Sequence, residues 1–275
     1  SKLEKSKTKK SKLEKSKTKK SKTKRSGTNI CRKYICFDET SLEKLRYLSD
    51  YNQSGNGEYK RLKNKEVSGK LIAKKEKGGY TLYLDEKFKL NNLEAHEADF
   101  VDSHYNFHTH PLEAYIYHNC ELGWPSKDDY ITFLDGFLNY NVIFHCVITV
   151  EGVYIMSIYK NTIIPLKNYF KTIKNKESFI DKVDKWVMDT LNIDKFNYKI
   201  RDGYKPENYK RIFSVQDYIS FINNSQQKYQ IGNKKMRIFN LEFLSWENLK
   251  LNKCFHFYFI SKKGKCPITL SEYKK

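Results

Sequence analysis

Phe107-His108-Thr109-His110-Pro111 and, a short way on, Trp124-Pro125-Ser126-Lys127-Asp128-Asp129-Tyr130 are the stretches around which this 275-residue chain is organised. Strand side chains alternate between the two faces, so His108 and His110 share one face. Pro111 cannot donate to a sheet ladder and ends that strand, which puts both imidazoles at its terminus. Ser126 and Asp129 are one helical turn apart and share a face if a helix starts at Pro125 or Ser126. Ser126 is a good N-cap, and Pro125 marks the boundary before it. Two neutral imidazoles and a carboxylate make a three-ligand zinc site that leaves the fourth position for water. That is the pattern of catalytic zinc, since structural zinc is usually closed by four protein ligands.

These blocks resemble the signature of the JAMM (MPN-plus) metalloproteases, which runs Glu … His-x-His-Pro … Ser-x-x-Asp. The last two parts stand here as His108-Thr109-His110-Pro111 and Ser126-Lys127-Asp128-Asp129. The upstream part, a Glu-x-x-Gly at the start of an apolar strand, is similar to Glu66-Val67-Ser68-Gly69-Lys70-Leu71-Ile72. One departure is clear. The stretch from His110 to Ser126 is longer than the family's usual spacing, so Leu112 to Gly123 is expected to loop out beside the site. Tyr115, Tyr117 and His118 in that insertion, with Trp124, are then placed to contact substrate.

The resemblance covers residues 58–159, under half of the chain. It implies an α/β (α+β) fold, an MPN/JAMM-like (cytidine-deaminase-like) mixed sheet flanked by helices. The expected organisation is a Lys-rich tail (1–28), a strand and helix lead-in (29–57), the zinc metalloprotease core (58–160) and an α+β extension (161–275). The implied cofactor is one Zn2+ per chain, held by His108, His110 and Asp129. Glu66 would take the proton of a zinc-activated water and Ser126 would stabilise the oxyanion. The implied reaction is hydrolysis of an isopeptide bond in ubiquitin or ubiquitin-like conjugates, with an activating or scaffold subunit as a further expected partner. Two alternatives stand beside it. One is a non-catalytic scaffold of the same fold in a larger, conceivably viral, assembly; the other is a hydrolase of this type acting on an amide other than ubiquitin's.

Each element has a blander meaning alone. A lone His-x-His in a strand is more often structural, and Ser-x-x-Asp after Pro is a common helix start. Their conjunction and order carry the reading. Glu66 competes with Glu58, Glu76, Glu94 and Glu97 for the base. His104 has the same strand parity as the two histidines but reads as a neighbour. His118 and Cys120 could approach the zinc and close the site.

The formal charge of +20 is uneven: residues 1–26 carry +11, the remainder +9. Ser-Lys-Leu-Glu-Lys-Ser-Lys-Thr-Lys-Lys occurs twice and is followed by a partial third copy. With one Leu in ten residues there is nothing to bury, so disorder is expected. Such a tail suits sequence-blind attachment to nucleic acid or another polyanion, nuclear import, or solubility alone; it has no aromatics for base stacking. No run of about 18 apolar residues and no apolar signal core are present, so no transmembrane segment is expected and the protein reads as intracellular, cytoplasmic or nuclear, with virion association as the alternative. Cys31, Cys36, Cys120, Cys146, Cys254 and Cys266 form no CxxC pair and read as free thiols of a reduced compartment. Cys254, His256 and Cys266 are read as core residues rather than a second metal site.

The remaining pattern predicts a strand at 30–37 and a helix over 41–48, capped by Thr40 or Ser41, with Leu42, Leu45 and Leu48 inward. Ser54 to Gly57 reads as a turn, with strands at 66–72, 80–84 and 102–110. Tyr130, Phe133, Leu134, Phe137 and Leu138 give the helix after Ser126 one apolar face. Val142–Val150 and Val153–Tyr159 form a buried hairpin about Glu151-Gly152. Helices follow at 179–191 and, capped by Ser214, at 215–222, around a polar loop at 201–210. Strands are expected at 236–244 and 254–260.

Overall fold

The structure, a computed structural model, describes residues 29–49, 66–76, 79–86, 91–92, 100–111, 122–191, 214–224 and 227–261. The basic tail, the turn at 54–57, the loop at 201–210, Glu58, Glu94, Glu97, Tyr115, Tyr117, His118, Cys120 and Cys266 lie outside the described residues.

Strand β1 (Asn29–Phe37) leads into helix α1 (Glu39–Ser49). Its cap is Asp38, not Thr40 or Ser41: the Asp38 carboxylate accepts from the Ser41 N–H and hydroxyl, at 2.9 Å each. Ser41 is therefore inside the first turn, and its Oγ accepts from the Leu84 N–H. Strands β2 (Val67–Glu76), β3 (Gly79–Leu84), β4 (Asn91–Asn92) and β5 (Tyr105–His110) follow, then helix α2 (Lys127–Asn139). Strands β6 (Phe144–Thr149) and β7 (Gly152–Ile158) form the expected hairpin. Gly152 is required at its turn, since a Cβ there would stand 2.4 Å from the Leu244 carbonyl oxygen.

Helices α3 (Ile163–Thr172) and α4 (Lys176–Trp186) come next, and α4 continues as a π-helical turn, Val187–Leu191. Helix α5 (Val215–Ile222) starts at a capping box built by Ser214 and Asp217. Strands β8 (Tyr229–Ile231), β9 (Lys234–Met236) and β10 (Phe239–Ser245), helix α6 (Trp246–Leu251) and strand β11 (Cys254–Ser261) complete the described chain. The single strand expected over 236–244 is thus two. The break falls at Arg237-Ile238, where the Arg237 guanidinium covers the Tyr159 ring and the buried Ile238 receives the Tyr159 N–H on its carbonyl.

One sheet runs in the order β10-β7-β6-β5-β2-β3-β1-β11, with β4 paired to β2; β8 and β9 form a separate hairpin. The pairs β5–β6 and β1–β3 are parallel and the rest antiparallel. The sheet curls, so that β11 also contacts β7. The fold is mixed α/β with helices on both sheet faces. Period-two alternation sorts the core. Phe107, Phe144, Cys146, Ile148, Val153 and Ile155 pack towards Leu42, Leu45 and Leu48 of α1 and Leu249 of α6. Val147, Tyr154, Met156 and Ile158 pack on the other side, with Tyr130, Phe133, Leu134 and Phe137 of α2. Burying each such side chain contributes roughly 1.5–3 kcal/mol, enough to set the strand parity firmly. In the parallel register His108 stands beside Val147, so the histidine face is the α2 face.

The free-thiol expectation fails for three cysteines. Cys36 and Cys254 are opposite one another in the β1–β11 register and form a disulfide, and Cys31 is disulfide-bonded as well. Cys146 is a free, buried thiol.

Candidate metal centre

Three chain segments converge at one end of the sheet: the start of β2, the end of β5 and the start of α2. His108 and His110 point the same way from β5, as strand parity requires. Their Nε2 atoms approach to 2.9 Å. The Asp129 carboxylate faces them, Oδ1 at 3.1 Å from His108 Nε2 and Oδ2 at 3.5 Å from His110 Nε2. Ligand atoms of these three residues all lie within 4.8 Å of one another. Tetrahedral ligands about 2.0–2.1 Å from a zinc ion stand ~3.3 Å apart, so the three donors fit one small divalent cation.

Helix α2 aims Asp129 by a capping box. The Ser126 Oγ accepts from the Asp129 N–H at 3.3 Å, and Asp129 Oδ2 accepts from the Ser126 N–H at 2.6 Å. One carboxylate oxygen is thereby committed mainly to the helix terminus, leaving Oδ1 turned to the histidines. Accepting in the cap leaves Ser126 its own hydroxyl proton to donate.

Each histidine is held from behind. His110 Nδ1 donates to the Gly123 carbonyl at 2.9 Å, and His108 Nδ1 meets His145 Nε2 at 2.6 Å. Both contacts leave Nε2 turned into the cluster, the arrangement that would orient the imidazoles towards a metal ion. Gly123 is fixed in turn, its N–H donating to Glu151 Oε1, which also accepts from the Tyr154 hydroxyl.

Glu66 immediately precedes β2 and is buried, with Oε1 3.8 Å from His110 Nε2. Among the described alternatives, Glu76 is elsewhere, exposed and bonded to Tyr83 and Thr81. His104 bonds the Asn141 carbonyl and is outside the cluster. Ser68 stands opposite His108 in the register, and its buried Oγ has no hydrogen-bond partner among the described residues.

Burial opposes the protonated form of His108, but the charges of Asp129 and Glu66 outweigh it and raise its pKa. Burial likewise opposes ionisation of Asp129, yet His108, His110 and the Ser126 N–H hold its carboxyl far below the usual range. His145 is pushed well down by burial, reinforced by His108. Two imidazoles that can each offer Nε2 once deprotonated, beside a firmly ionised carboxylate, are a donor set that could hold a cation.

No family model, curated protein or solved structure matches the chain. The site therefore rests on its own geometry. One expectation about it needs correction. Trp124 does not face a substrate: it is buried, stacked on the Tyr218 ring with centroids 4.8 Å apart. The Tyr218 hydroxyl donates to the Pro125 carbonyl at 2.6 Å, so α5 clamps the segment leading into α2. Sequence reading missed His145, Asn106, Glu151 and Tyr218. His145 did carry a signal, a histidine inside the otherwise apolar run 142–150.

Proposed function

We propose that the chain is a zinc-dependent isopeptidase of the JAMM type, hydrolysing an amide bond between ubiquitin, or a ubiquitin-like protein, and a lysine. The observation that supports this best is a buried carboxylate, Glu66, standing beside a three-residue His-His-Asp donor set. A bound divalent zinc would polarise a water molecule and lower its pKa towards about 7. His108, His110 and Asp129 would hold it.

Glu66 has the chemistry of a general base at that point. Its carboxylate accepts the proton of the attacking water and returns it to the departing amine. The Ser126 hydroxyl, already fixed by the α2 cap, donates to the oxyanion that develops on the substrate carbonyl, a contribution of about 10²–10³ in rate for one such donor. His110 and His108 remain neutral donors, oriented by the Gly123 carbonyl and His145.

The test pairs metal content with cleavage. Wild-type protein should carry one zinc per chain by mass spectrometry and cleave members of a ubiquitin-chain panel in a chelator-sensitive way. Glu66→Gln should keep the zinc and lose cleavage. Full activity in that variant would remove Glu66 from the reaction, and zinc without cleavage of any chain would point to another amide substrate or a scaffold.

A further inference from the structure

We infer that His145 is a positioning residue for the metal centre: with Asn106 it forms a hydrogen-bond relay that fixes the His108 tautomer and aims the Nε2 lone pair into the site. The inference rests on the reading of His108 as a ligand and adds two residues outside the donor set.

Three contacts run in series. Asn106 Nδ2 donates to the Val101 carbonyl at 2.6 Å, Asn106 Oδ1 meets His145 Nδ1 at 2.7 Å, and His145 Nε2 meets His108 Nδ1 at 2.6 Å. The direction of the chain follows from its end. A backbone carbonyl only accepts, so the Asn106 amide must turn its NH2 there and its oxygen to His145. That oxygen needs a donor, which places the His145 proton on Nδ1 and its lone pair on Nε2. The lone pair in turn requires a proton on His108 Nδ1, so that in the neutral imidazole the other lone pair is on Nε2, facing His110 and Asp129. Running the relay backwards would set two carbonyl oxygens against each other in a buried position, at the cost of an unmade hydrogen bond.

The strand register builds this arrangement. Asn106 and His145 are direct neighbours across the parallel β5–β6 pair, and His145 is diagonal to His108, its ring tilted only 24° from the His108 plane with centroids 4.8 Å apart, as an edge-to-edge hydrogen bond requires. Asn106 is 1% exposed, so water does not compete for its amide. His110, at the strand end, reaches a backbone carbonyl directly. His108 lies further into the sheet, where strand carbonyls are engaged in the ladder, and a side-chain acceptor takes their place.

The experiment uses the full chain. Zinc affinity is measured by competition with a chromophoric chelator for wild type, His145→Leu, His145→Gln and Asn106→Leu, with circular dichroism as the folding check. Long-range proton–nitrogen spectra of the metal-free protein report which His108 nitrogen carries the proton. His145→Leu and Asn106→Leu should weaken zinc binding by about 10- to 100-fold and abolish the single His108 tautomer. His145→Gln should restore most of the affinity, because its amide oxygen accepts from His108 and its NH2 donates to Asn106. Wild-type affinity in folded His145→Leu would overturn the relay while leaving the metal centre standing. If wild type takes up no zinc the centre itself falls, and a His108 Nδ1 without a proton would overturn the relay independently.

Discussion

His108 and Asp129 form a pair whose proton affinities pull apart, and this gives the site a definite pH behaviour. The raised pKa of His108 comes from Asp129 and Glu66 winning against burial, so the imidazole keeps its proton to higher pH than a free histidine. In the metal-free protein that gain is fully present below the ordinary histidine value of about 6.5 and is lost as pH rises through the raised one. The lowered pKa of Asp129 works at the other end, stabilising above the ordinary carboxylate value of about 3.9 and fading only under strong acid. The His108–Asp129 pair therefore favours the chelator-treated protein at pH 5.5–6 over pH 8 while the depressed His145 opposes it, so on going from pH 5.5–6 to pH 8 the melting temperature of wild type should fall relative to that of Asp129→Asn. Zinc binding should run the other way, weakening as pH falls below neutrality because His108 must lose its proton to bind. Calorimetry and chelator competition over the same pH range check the two trends; parallel trends would contradict the pairing.

Helix α2 and helix α5 divide the work of holding the site; both helices were legible in advance, but only the part played by α2. The α2 cap could be read because Ser126 and Asp129 are three residues apart, a local relation that one helical turn makes physical. The strand parity of His108 and His110 was legible for the same reason, as was the turn at Glu151-Gly152. The clamp by α5 was not, because Tyr218 and Pro125 are 93 residues apart and nothing local links them. The same distance hid the burial of Trp124, whose position beside a binding motif invited a substrate role. The His145 relay needed the β5–β6 register, which no single strand reveals. From the clamp, Tyr218→Phe should cost about 0.5–1.5 kcal/mol in stability by losing the hydroxyl's bonds to Pro125 and Tyr130. Zinc affinity should fall with it, since the Pro125–Asp129 segment is freed to shift. Urea unfolding and metal competition on the same variant test this; unchanged affinity would make Tyr218 a core residue only. Ser126→Ala offers the complementary check, with ~1 kcal/mol lost from the cap and cleavage slowed far more than stability explains.

At the scale of the whole molecule, the two ends of the sheet order come from distant parts of the chain. Strand β10 lies at one edge and β11 at the other, and residues beyond 160 supply both. The 161–275 region is thus part of the sheet that carries the site, and its strands could be anticipated but not their partners. The disulfide between β1 and β11 joins positions 218 residues apart. Closing so long a loop restricts the unfolded chain, so Cys36→Ser with Cys254→Ser should lower stability by about 2–4 kcal/mol. Denaturation of wild type and of this double variant without reductant measures this, and identical midpoints would show that β1–β11 pairing needs no covalent help. The metal donors sit on other elements, so zinc affinity should hardly respond. The same bond has a topological consequence. Residues 36–254 are a covalent ring, so one proteolytic cut anywhere within it opens the ring without releasing a fragment. Such a molecule keeps its full mass on a non-reducing gel and separates into two pieces only once the disulfides are reduced.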